Sequence, residues 1–239
     1  MRLLAIDTTC RTCSVALAAG GDIAWLEAGE GEGHAARVLP MAGELLAAAG
    51  MRPHDLDAVA FACGPGAFTG VRIACGVAQG MAFAAGLPVV PVGSLASLAL
   101  EAGEGWVLAC LDARMGEVYH ATFRVTGDGD CEPKTAPAVC APSELPVPDP
   151  QGVQWIGAGD GFRVHAEVLR ERLAATPLRA VAADCRPHAR SVARLGLRAL
   201  AAGQAIAPER AAPLYVRNKV ALDVGEQAAL RARQAEGAR

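Results

Sequence analysis

The stretch GPGAFTGVRIA, at residues 64–74, joins a predicted buried strand at 57–63 to a predicted helix that runs to about residue 85. A glycine-rich turn between a strand and a helix has two common uses. It can present backbone N–H groups to an anion, or it can let the helix pack closely on the chain beneath it. Both uses stay open here, although the helix carries a ridge of small residues that favours close packing, namely Gly70, Ala74, Ala78 and Ala82.

This turn is not a standard nucleotide motif. It nearly matches the dinucleotide fingerprint G-x-G-x-x-G, but it follows a later strand rather than the first one. The next predicted strand, 89–92, also lacks the terminal acid that would bind a ribose. No Gly-Lys-Ser/Thr sequence occurs, which excludes a P-loop.

Working outward from the turn, the sequence predicts an α/β protein in two parts. The first part reads β-β-β-α-β-α-β-α, with strands at 3–7, 14–18, 23–27, 57–63 and 89–92 and helices at 35–49, 69–85 and 94–101. The second part has predicted strands at 106–112, 116–125 and 153–156, an irregular stretch at 133–150, and helices at 162–174 and 188–202. We therefore predict an N-terminal lobe at 1–101, a C-terminal lobe at 102–212, and a C-terminal segment with a polar tail at 213–239.

Composition narrows the class of protein. The 239 residues are 52% hydrophobic with a net charge of −3, and the sequence shows no uninterrupted apolar run of the length a membrane span needs. We expect a soluble cytoplasmic protein that does not bind membranes and is not a polyanion binder as a whole. The second half is rich in arginine, which fits either a weak tRNA contact or solvated helices.

The first pair of cysteines, Cys10 and Cys13, has C-x-x-C spacing. A redox pair works at a helix N-terminus, where the dipole lowers the thiol pKa, but the residues after Cys13 are predicted to form a strand. A zinc site would need a second ligand pair, and no other C-x-x-C occurs. Structural cysteines are the favoured interpretation, with redox and metal roles as alternatives.

A carboxylate and two hydroxyls, Asp7-Thr8-Thr9, end the first strand. This arrangement resembles the phosphate loop of the actin-like ATPase and sugar-kinase superfamily. It predicts a weak or vestigial nucleotide site formed by Asp7, Thr8, Thr9, Gly64 and Gly66.

Four stretches together carry a more specific resemblance. They are Ala5-Ile6-Asp7-Thr8, GPGAFTGVRIA at 64–74, DARMGEVY at 112–119, and Pro213-Leu214-Tyr215-Val216-Arg217. In this order they resemble the bacterial TsaB (YeaZ) family over nearly the whole chain.

The resemblance implies a two-lobed actin-like (ASKHA) fold in which each lobe is a mixed sheet covered by helices. It also implies a non-catalytic subunit that partners the paralogue TsaD in tRNA N6-threonylcarbamoyladenosine synthesis, together with an ATPase subunit of the same pathway. ATP is then expected at the level of the complex, with no cofactor of the chain's own. The paralogue holds a metal through H-x-x-x-H, and no two of the five histidines here are four apart.

In this family the first lobe's two helices form a bundle with the paralogue or with a second copy. The resemblance thus implies a partner interface on the helices at 35–49 and 69–85. The residues we predict for it are Val38, Leu39, Ala42, Leu45, Leu46, Val71, Ala74, Cys75, Ala78 and Ala82. Each helix must also cover its own sheet, so about half of these are expected to be intramolecular. Arg72 and Arg114 are predicted to be ion-paired surface residues rather than phosphate ligands.

Two functions of other classes remain as alternatives. One is a stand-alone ATPase or small-molecule kinase, with Asp112 as the catalytic carboxylate at the end of a second-lobe strand. The other is a thiol redox protein that uses Cys10 and Cys13.

Overall fold

The computed structural model describes residues 1–30, 33–148 and 152–217. The predicted polar tail at 218–239 lies outside these residues.

The first lobe is built on a five-stranded mixed sheet with the order β3-β2-β1-β4-β5. Strands β1, β2 and β3 form the predicted antiparallel meander, and β4 and β5 add in parallel to β1. The strands are β1 Leu3–Asp7, β2 Cys13–Ala19, β3 Asp22–Ala28, β4 Ala58–Gly64 and β5 Val89–Gly93. The central strand β1 is buried along its whole length, because helices cover both faces of the sheet.

Helices α1 (His34–Ala48) and α2 (Phe68–Ala85) cover one face of this sheet. The core there joins Ile6 and Phe61 of the sheet to Val38 of α1 and Ala78 of α2. The predicted small-residue ridge of α2 is buried, which confirms its packing role. By length and composition α2 could cross a membrane. Since one face of it is packed in the core, its apolar character is already partly explained.

The second lobe is built on a six-stranded sheet with the order β11-β10-β6-β7-β8, and β9 also pairs with β7. Its strands are β6 Gly105–Arg114, β7 Glu117–Val125, β8 Cys131–Pro133, β9 Ala138–Cys140, β10 Trp155–Ala158 and β11 Leu178–Ala182. The sequence did not predict β8, β9 or β11, which have at most five residues each. The predicted helix at 162–174 is divided into α4 (Gly161–Val164) and α5 (Ala166–Arg172).

The predicted lobe boundaries need a correction, because each lobe contributes a helix to the other. Helix α3 (Ser94–Ala102) falls inside the predicted first lobe, yet Leu98 packs with Val107 and Phe123 of the second sheet. Helix α6 (Ala189–Ala201) falls inside the predicted second lobe, yet Val192 packs on the open face of the first sheet. An amphipathic helix packs where an apolar sheet face is uncovered, and chain order alone does not reveal that place.

A buried polar network joins these exchanged helices. Arg190 Nε and Nη2 both donate to the carboxylate of Glu101, which lies near the end of α3. Ser191 Oγ donates to Glu101 Oε1 at 2.5 Å. Burial opposes ionisation of Glu101, but hydrogen bonds from Arg190 and Ser191 outweigh burial and lower the pKa of this carboxyl. Ser14 Oγ of β2 accepts a hydrogen bond from the backbone N–H of Ala189 at 2.9 Å. These hydrogen bonds link α3 to α6, and the start of α6 to β2.

Candidate functional site

The main cavity is a cleft of about 820 Å³ between the two lobes. Its walls include the loop after β1, the turn before α2, the β6–β7 turn and residues 214–217, and the lining is completed by residues such as Asp160, Arg163 and the stretch 183–186. Three of the four stretches that carry the family resemblance therefore line the cleft, and the fourth, at 5–8, leads directly into it. The fold gathers the most specific sequence motifs around one space.

The loop after β1 is packed tightly on the turn before α2. Thr8 Oγ1 donates to the Gly70 carbonyl at 2.7 Å, and the Ala67 N–H donates to the Thr9 carbonyl at 2.9 Å. A Cβ atom on Gly70 would lie 1.9 Å from the Thr8 carbonyl oxygen, and one on Gly66 would lie 2.6 Å from the Thr9 carbonyl oxygen. These two glycines are required because the two backbones approach so closely. Close packing is thus the use of this turn that the structure displays.

Asp7 is buried beneath the loop. Its Oδ1 accepts hydrogen bonds from the backbone N–H of Thr9 at 2.8 Å and from Thr9 Oγ1 at 2.7 Å. Its Oδ2 is buried without a hydrogen-bond partner among the described residues. Burial raises the pKa of Asp7 to about 6, although the hydrogen bonds from Thr9 act in the opposite direction.

The second-lobe wall is formed by the end of β6 and its turn. Asp112 Oδ2 forms an ion pair with Arg114 at 3.2 Å, while Asp112 Oδ1 lies 3.4 Å from His165 Nε2. The Asp112 N–H donates to Asp160 Oδ1 at 3.0 Å. Arg114 and Met115 both adopt left-handed backbone conformations, with φ of 62° and 56°. Such conformations are unusual for residues other than glycine and are often found at functional turns.

The segment at 213–217 closes the cleft by touching both lobes, and we call it the strap. The Leu214 N–H donates to the Cys63 carbonyl of β4 at 2.7 Å. At the other end, Arg217 donates to the carbonyl of Ala113 at 3.1 Å and pairs with Glu117 of β7. The strap therefore crosses from the first sheet to the β6–β7 turn.

The arginines that line this cleft are neutralised by the chain's own acids. The pairs are Arg11 with Glu30, Arg114 with Asp112, Arg163 with Asp184, Arg186 with Glu27, and Arg217 with Glu117. The prediction for Arg114 as an ion-paired residue is confirmed. The prediction for Arg72 is wrong, since its guanidinium lies over the Phe68 ring and no acid within the described part of the chain pairs with it.

The predicted nucleotide residues are only partly brought together. Thr9 and Gly66 line the cleft, whereas Asp7, Thr8 and Gly64 are not among its described lining residues. Asp7 Oδ1 and Thr8 Oγ1 form hydrogen bonds inside the first lobe. Gly64 lies against the strap, because a Cβ atom on it would be 3.2 Å from the Leu214 carbonyl oxygen. Of the five residues, Thr9 and Gly66 therefore face the cleft, while the loop that carries Thr8 and Thr9 packs on the turn before α2, and the phosphate site stays a prediction.

The sequence left a metal site and a redox role for Cys10 and Cys13 as alternatives. Within residues 1–30, 33–148 and 152–217, no three His, Cys, Asp or Glu side chains are grouped so that they could hold a metal ion. Cys10 and Cys13 are free thiols, and burial raises the pKa of Cys10 to about 11 and that of Cys13 to about 12. Neither thiol is activated as a redox pair would require.

The predicted partner-interface residues are mostly inside the chain's own core. Leu39 is 52% exposed, but the other nine are buried within the first lobe. Those nine are Val38, Ala42, Leu45, Leu46, Val71, Ala74, Cys75, Ala78 and Ala82. The sequence pattern identified the apolar stripe of each helix, and that stripe faces the sheet, as amphipathic helices usually do.

The opposite face of the same helices is exposed and almost uncharged on α2. There it includes Arg72, Gly76, Gly80 and Phe83, and the Phe83 side chain is 69% exposed. A second cavity of about 340 Å³ lies between the two helices and is lined by residues such as Leu39, Gly43 and Met81. We call the exposed surface of α1 and α2, with this groove, the helical face.

Sequence reasoning missed the residues that give the cleft its aromatic character. Phe68, Tyr119 and Tyr215 all line it, and Phe68 and Tyr215 are about half exposed, at 55% and 51%. The signal was present, because each lies inside one of the motifs that carry the family resemblance. Only the fold shows that these motifs meet.

Comparison with known proteins gives consistent results. A family model for "TsaD: tRNA N6-adenosine threonylcarbamoyltransferase" matches residues 30–222. The Escherichia coli tRNA threonylcarbamoyladenosine biosynthesis protein TsaB is 37% identical over 227 residues, which cover 92% of this chain and 96% of that protein. The TsaB protein of Haemophilus influenzae is 46% identical over 123 residues, about half of each chain.

The solved structure of YeaZ from Pseudomonas aeruginosa is similar with a TM-score of 0.82 and 40% identity, covering 90% of this chain and 99% of that one. This likeness confirms the predicted two-lobed, actin-like α/β fold. Identity of this level over nearly the full length of both chains leaves little room for another assignment. The chain belongs to the TsaB (YeaZ) family.

Proposed function

We propose that this chain is the non-catalytic dimerisation and activating subunit of the complex that adds threonylcarbamoyl to N6 of the adenosine 3′ of the anticodon in tRNA. Family membership supports the pathway, since the E. coli relative is a tRNA threonylcarbamoyladenosine biosynthesis protein. The chain would act in the cytoplasm, with tRNA contacts that are weak or indirect.

The observation that carries this proposal is the helical face. Monomeric proteins rarely expose large uncharged apolar patches, and such patches commonly mark protein interfaces. Helix α2 contains one charged residue in eighteen, and its outward side presents small residues and Phe83. Small residues allow a second pair of helices to approach closely, and Phe83 and Leu39 supply apolar surface to bury.

The partner we propose is the catalytic paralogue TsaD. Residues 30–222 of this chain match the TsaD family model, so the paralogue is expected to have helices equivalent to α1 and α2. Two similar folds can then pair through equivalent surfaces in a pseudo-symmetric dimer. The same geometry permits a homodimer, which would compete with TsaD for one surface. An ATPase subunit of the pathway would join the pair, and any ATP would bind at the level of the complex.

A binding experiment tests this surface. The purified chain is titrated with purified TsaD from the same organism by isothermal calorimetry, and Phe83→Glu is compared with the wild type. Because a charge must then be buried in an apolar interface, we expect affinity to fall at least about tenfold. Val181→Glu is the matched control, since Val181 is also exposed (50%) but lies on β11 of the second lobe. Equal binding by wild type and Phe83→Glu would contradict the proposal.

The alternative of a stand-alone ATPase or small-molecule kinase has weaker support, because Thr8 Oγ1 and Asp7 Oδ1 form hydrogen bonds inside the first lobe. ATP hydrolysis by the purified chain tests it directly. Hydrolysis that Asp7→Asn or Asp112→Asn abolishes would support that alternative.

A further inference from the structure

Arg72 is the only charged residue of α2, and it lies one turn from the start of the helix. Its side chain is exposed on the helical face, in line with Gly76 and Gly80. A cation on the otherwise uncharged outward side of α2 is costly to bury unless a partner supplies an acceptor. A partner that covers the helical face must therefore offer Arg72 a hydrogen-bond acceptor or a negative charge.

The guanidinium of Arg72 is held in one place rather than free in solvent. It lies 3.4 Å from the centroid of the Phe68 ring and 5.0 Å from that of Tyr215. Its Nη1 also donates to the Phe68 carbonyl at 2.8 Å. Arginine stacks well on aromatic rings, and a guanidinium fixed by two rings loses less entropy when it binds a carboxylate.

Arg72 differs from the arginines inside the cleft, which are all paired with acids. In the described part of the chain no carboxylate lies within ion-pair distance of Arg72, and the Phe68 carbonyl is the one acceptor described for its donors. Arginine, tyrosine and phenylalanine at the edge of an apolar patch are also the residue types enriched at protein interfaces and their hot spots.

Tyr215 connects this arginine to the strap. The neighbouring Leu214 is bonded to Cys63 of the first lobe, and Arg217 reaches Ala113 and Glu117 of the second. The ring beside Arg72 is thus fixed by a segment anchored on both lobes. The position of the Tyr215 ring therefore depends on how the two lobes are arranged.

We infer that Arg72 is an anchor of the helical face that binds a carboxylate of the docking protein partner, and that Tyr215 positions it. This inference rests on the proposed function, because the partner is TsaD. A protein partner is favoured over RNA because each of the five arginines that line the neighbouring cleft is paired with an acid of the chain and is therefore less available to phosphates. Because the strap that carries Tyr215 is anchored on both lobes, the contact between Arg72 and the partner depends on the relative position of the lobes.

The test uses the full-length chain and purified TsaD from the same organism, with affinity measured by calorimetry at about 50 and 300 mM salt. Arg72→Gln is expected to weaken binding at least about tenfold at low salt and to reduce the salt dependence, because an ion pair is lost. Arg72→Lys should be intermediate, since lysine keeps the charge without the planar fork. Tyr215→Ala should weaken binding, and Tyr215→Phe should restore it, because stacking needs the ring and not the hydroxyl.

Arg170→Gln is the matched control, because Arg170 is an exposed arginine on α5, in the second lobe. Thermal unfolding of each variant shows that the fold is retained. If the wild type binds TsaD and Arg72→Gln binds equally well, the inference is wrong while the proposed function stands. If Arg72→Gln instead loses binding to bulk tRNA and keeps TsaD affinity, the carboxylate assignment is overturned in favour of nucleic acid. If the wild type does not bind TsaD, both fail.

Discussion

Gly70→Ala tests the claim that the turn before α2 exists to let two backbones meet. A Cβ atom there would lie 1.9 Å from the Thr8 carbonyl oxygen, while real Cβ atoms essentially never come within 3.0 Å of a heavy atom outside their own residue and its chain neighbours. The loop after β1 must therefore move by more than about 1 Å, which is a backbone shift of the kind overpacking causes.

That shift also strains two buried hydrogen bonds, from Thr8 Oγ1 to Gly70 and from Ala67 to Thr9. Overpacking typically costs about 1–3 kcal/mol, and each weakened bond adds about 1 kcal/mol. We expect Gly70→Ala to lower the free energy of unfolding by at least about 3 kcal/mol, measured by urea denaturation followed by circular dichroism.

Gly76→Ala is the matched control on the same helix. A Cβ atom at Gly76 meets nothing within 4 Å, so alanine adds helix propensity without a clash. This variant should be stabilised by about 0.5–1 kcal/mol, opposite in sign to Gly70→Ala. If both variants shift stability in the same direction, or if Gly70→Ala stays within about 1 kcal/mol of the wild type, the close-packing argument fails.

Three further predictions concern buried polar groups. The raised pKa of Asp7 means that the native state holds this proton more tightly than the unfolded chain, so the associated stability is present at low pH and is lost as the pH rises through about 6. Between pH 5 and 7 the wild type should lose about 1.3 kcal/mol relative to Asp7→Asn in urea titrations, and parallel curves would refute the assignment. Glu101→Ala leaves the buried Ser191 hydroxyl and the partly exposed Arg190 guanidinium without their shared acceptor and should destabilise the chain by about 1–3 kcal/mol, whereas Glu167→Ala on the exposed side of α5 should change stability by less than about 0.5 kcal/mol. Cys10→Ser with Cys13→Ser should leave TsaD binding unchanged, and no disulfide between the two should form in mild oxidant by mass spectrometry, because both thiols have raised pKa values.

Much of the fold was predictable because its helices and longer strands are marked by apolar patterns within short stretches of the sequence. The meander of β1–β3 and the helices α1, α2 and α3 follow from alternating or helical apolar patterns bounded by glycine. Strands β8, β9 and β11 were not predictable in this way, since they have only three to five residues and are too short to show a clear alternating pattern. The exchange of α3 and α6 between lobes also has no local signal, because it depends on which sheet face is left uncovered.

The candidate site was likewise predictable in part: its segments could be identified from the sequence, but their arrangement in space could not. Sequence motifs identified the segments that form the cleft, including the β6–β7 turn and the strap, without showing that they meet. Nine of the ten residues predicted for the partner surface lie on the stripe that the sheet buries, because helical periodicity identifies the core-facing side of an amphipathic helix. The outward side, with Arg72 and Phe83, carries little hydrophobic periodicity, and only the burial of its neighbours reveals it.

The central claim is that the chain supports tRNA modification through a partner and performs no chemistry in its own cleft. The most direct test depletes the protein in its own cells and quantifies threonylcarbamoyladenosine in bulk tRNA by mass spectrometry. The account predicts that the modified nucleoside falls on depletion, returns with an Asp112→Asn copy, and does not return with a Phe83→Glu copy expressed at the same level. An unchanged level on depletion, or rescue by Phe83→Glu but not by Asp112→Asn, would contradict it.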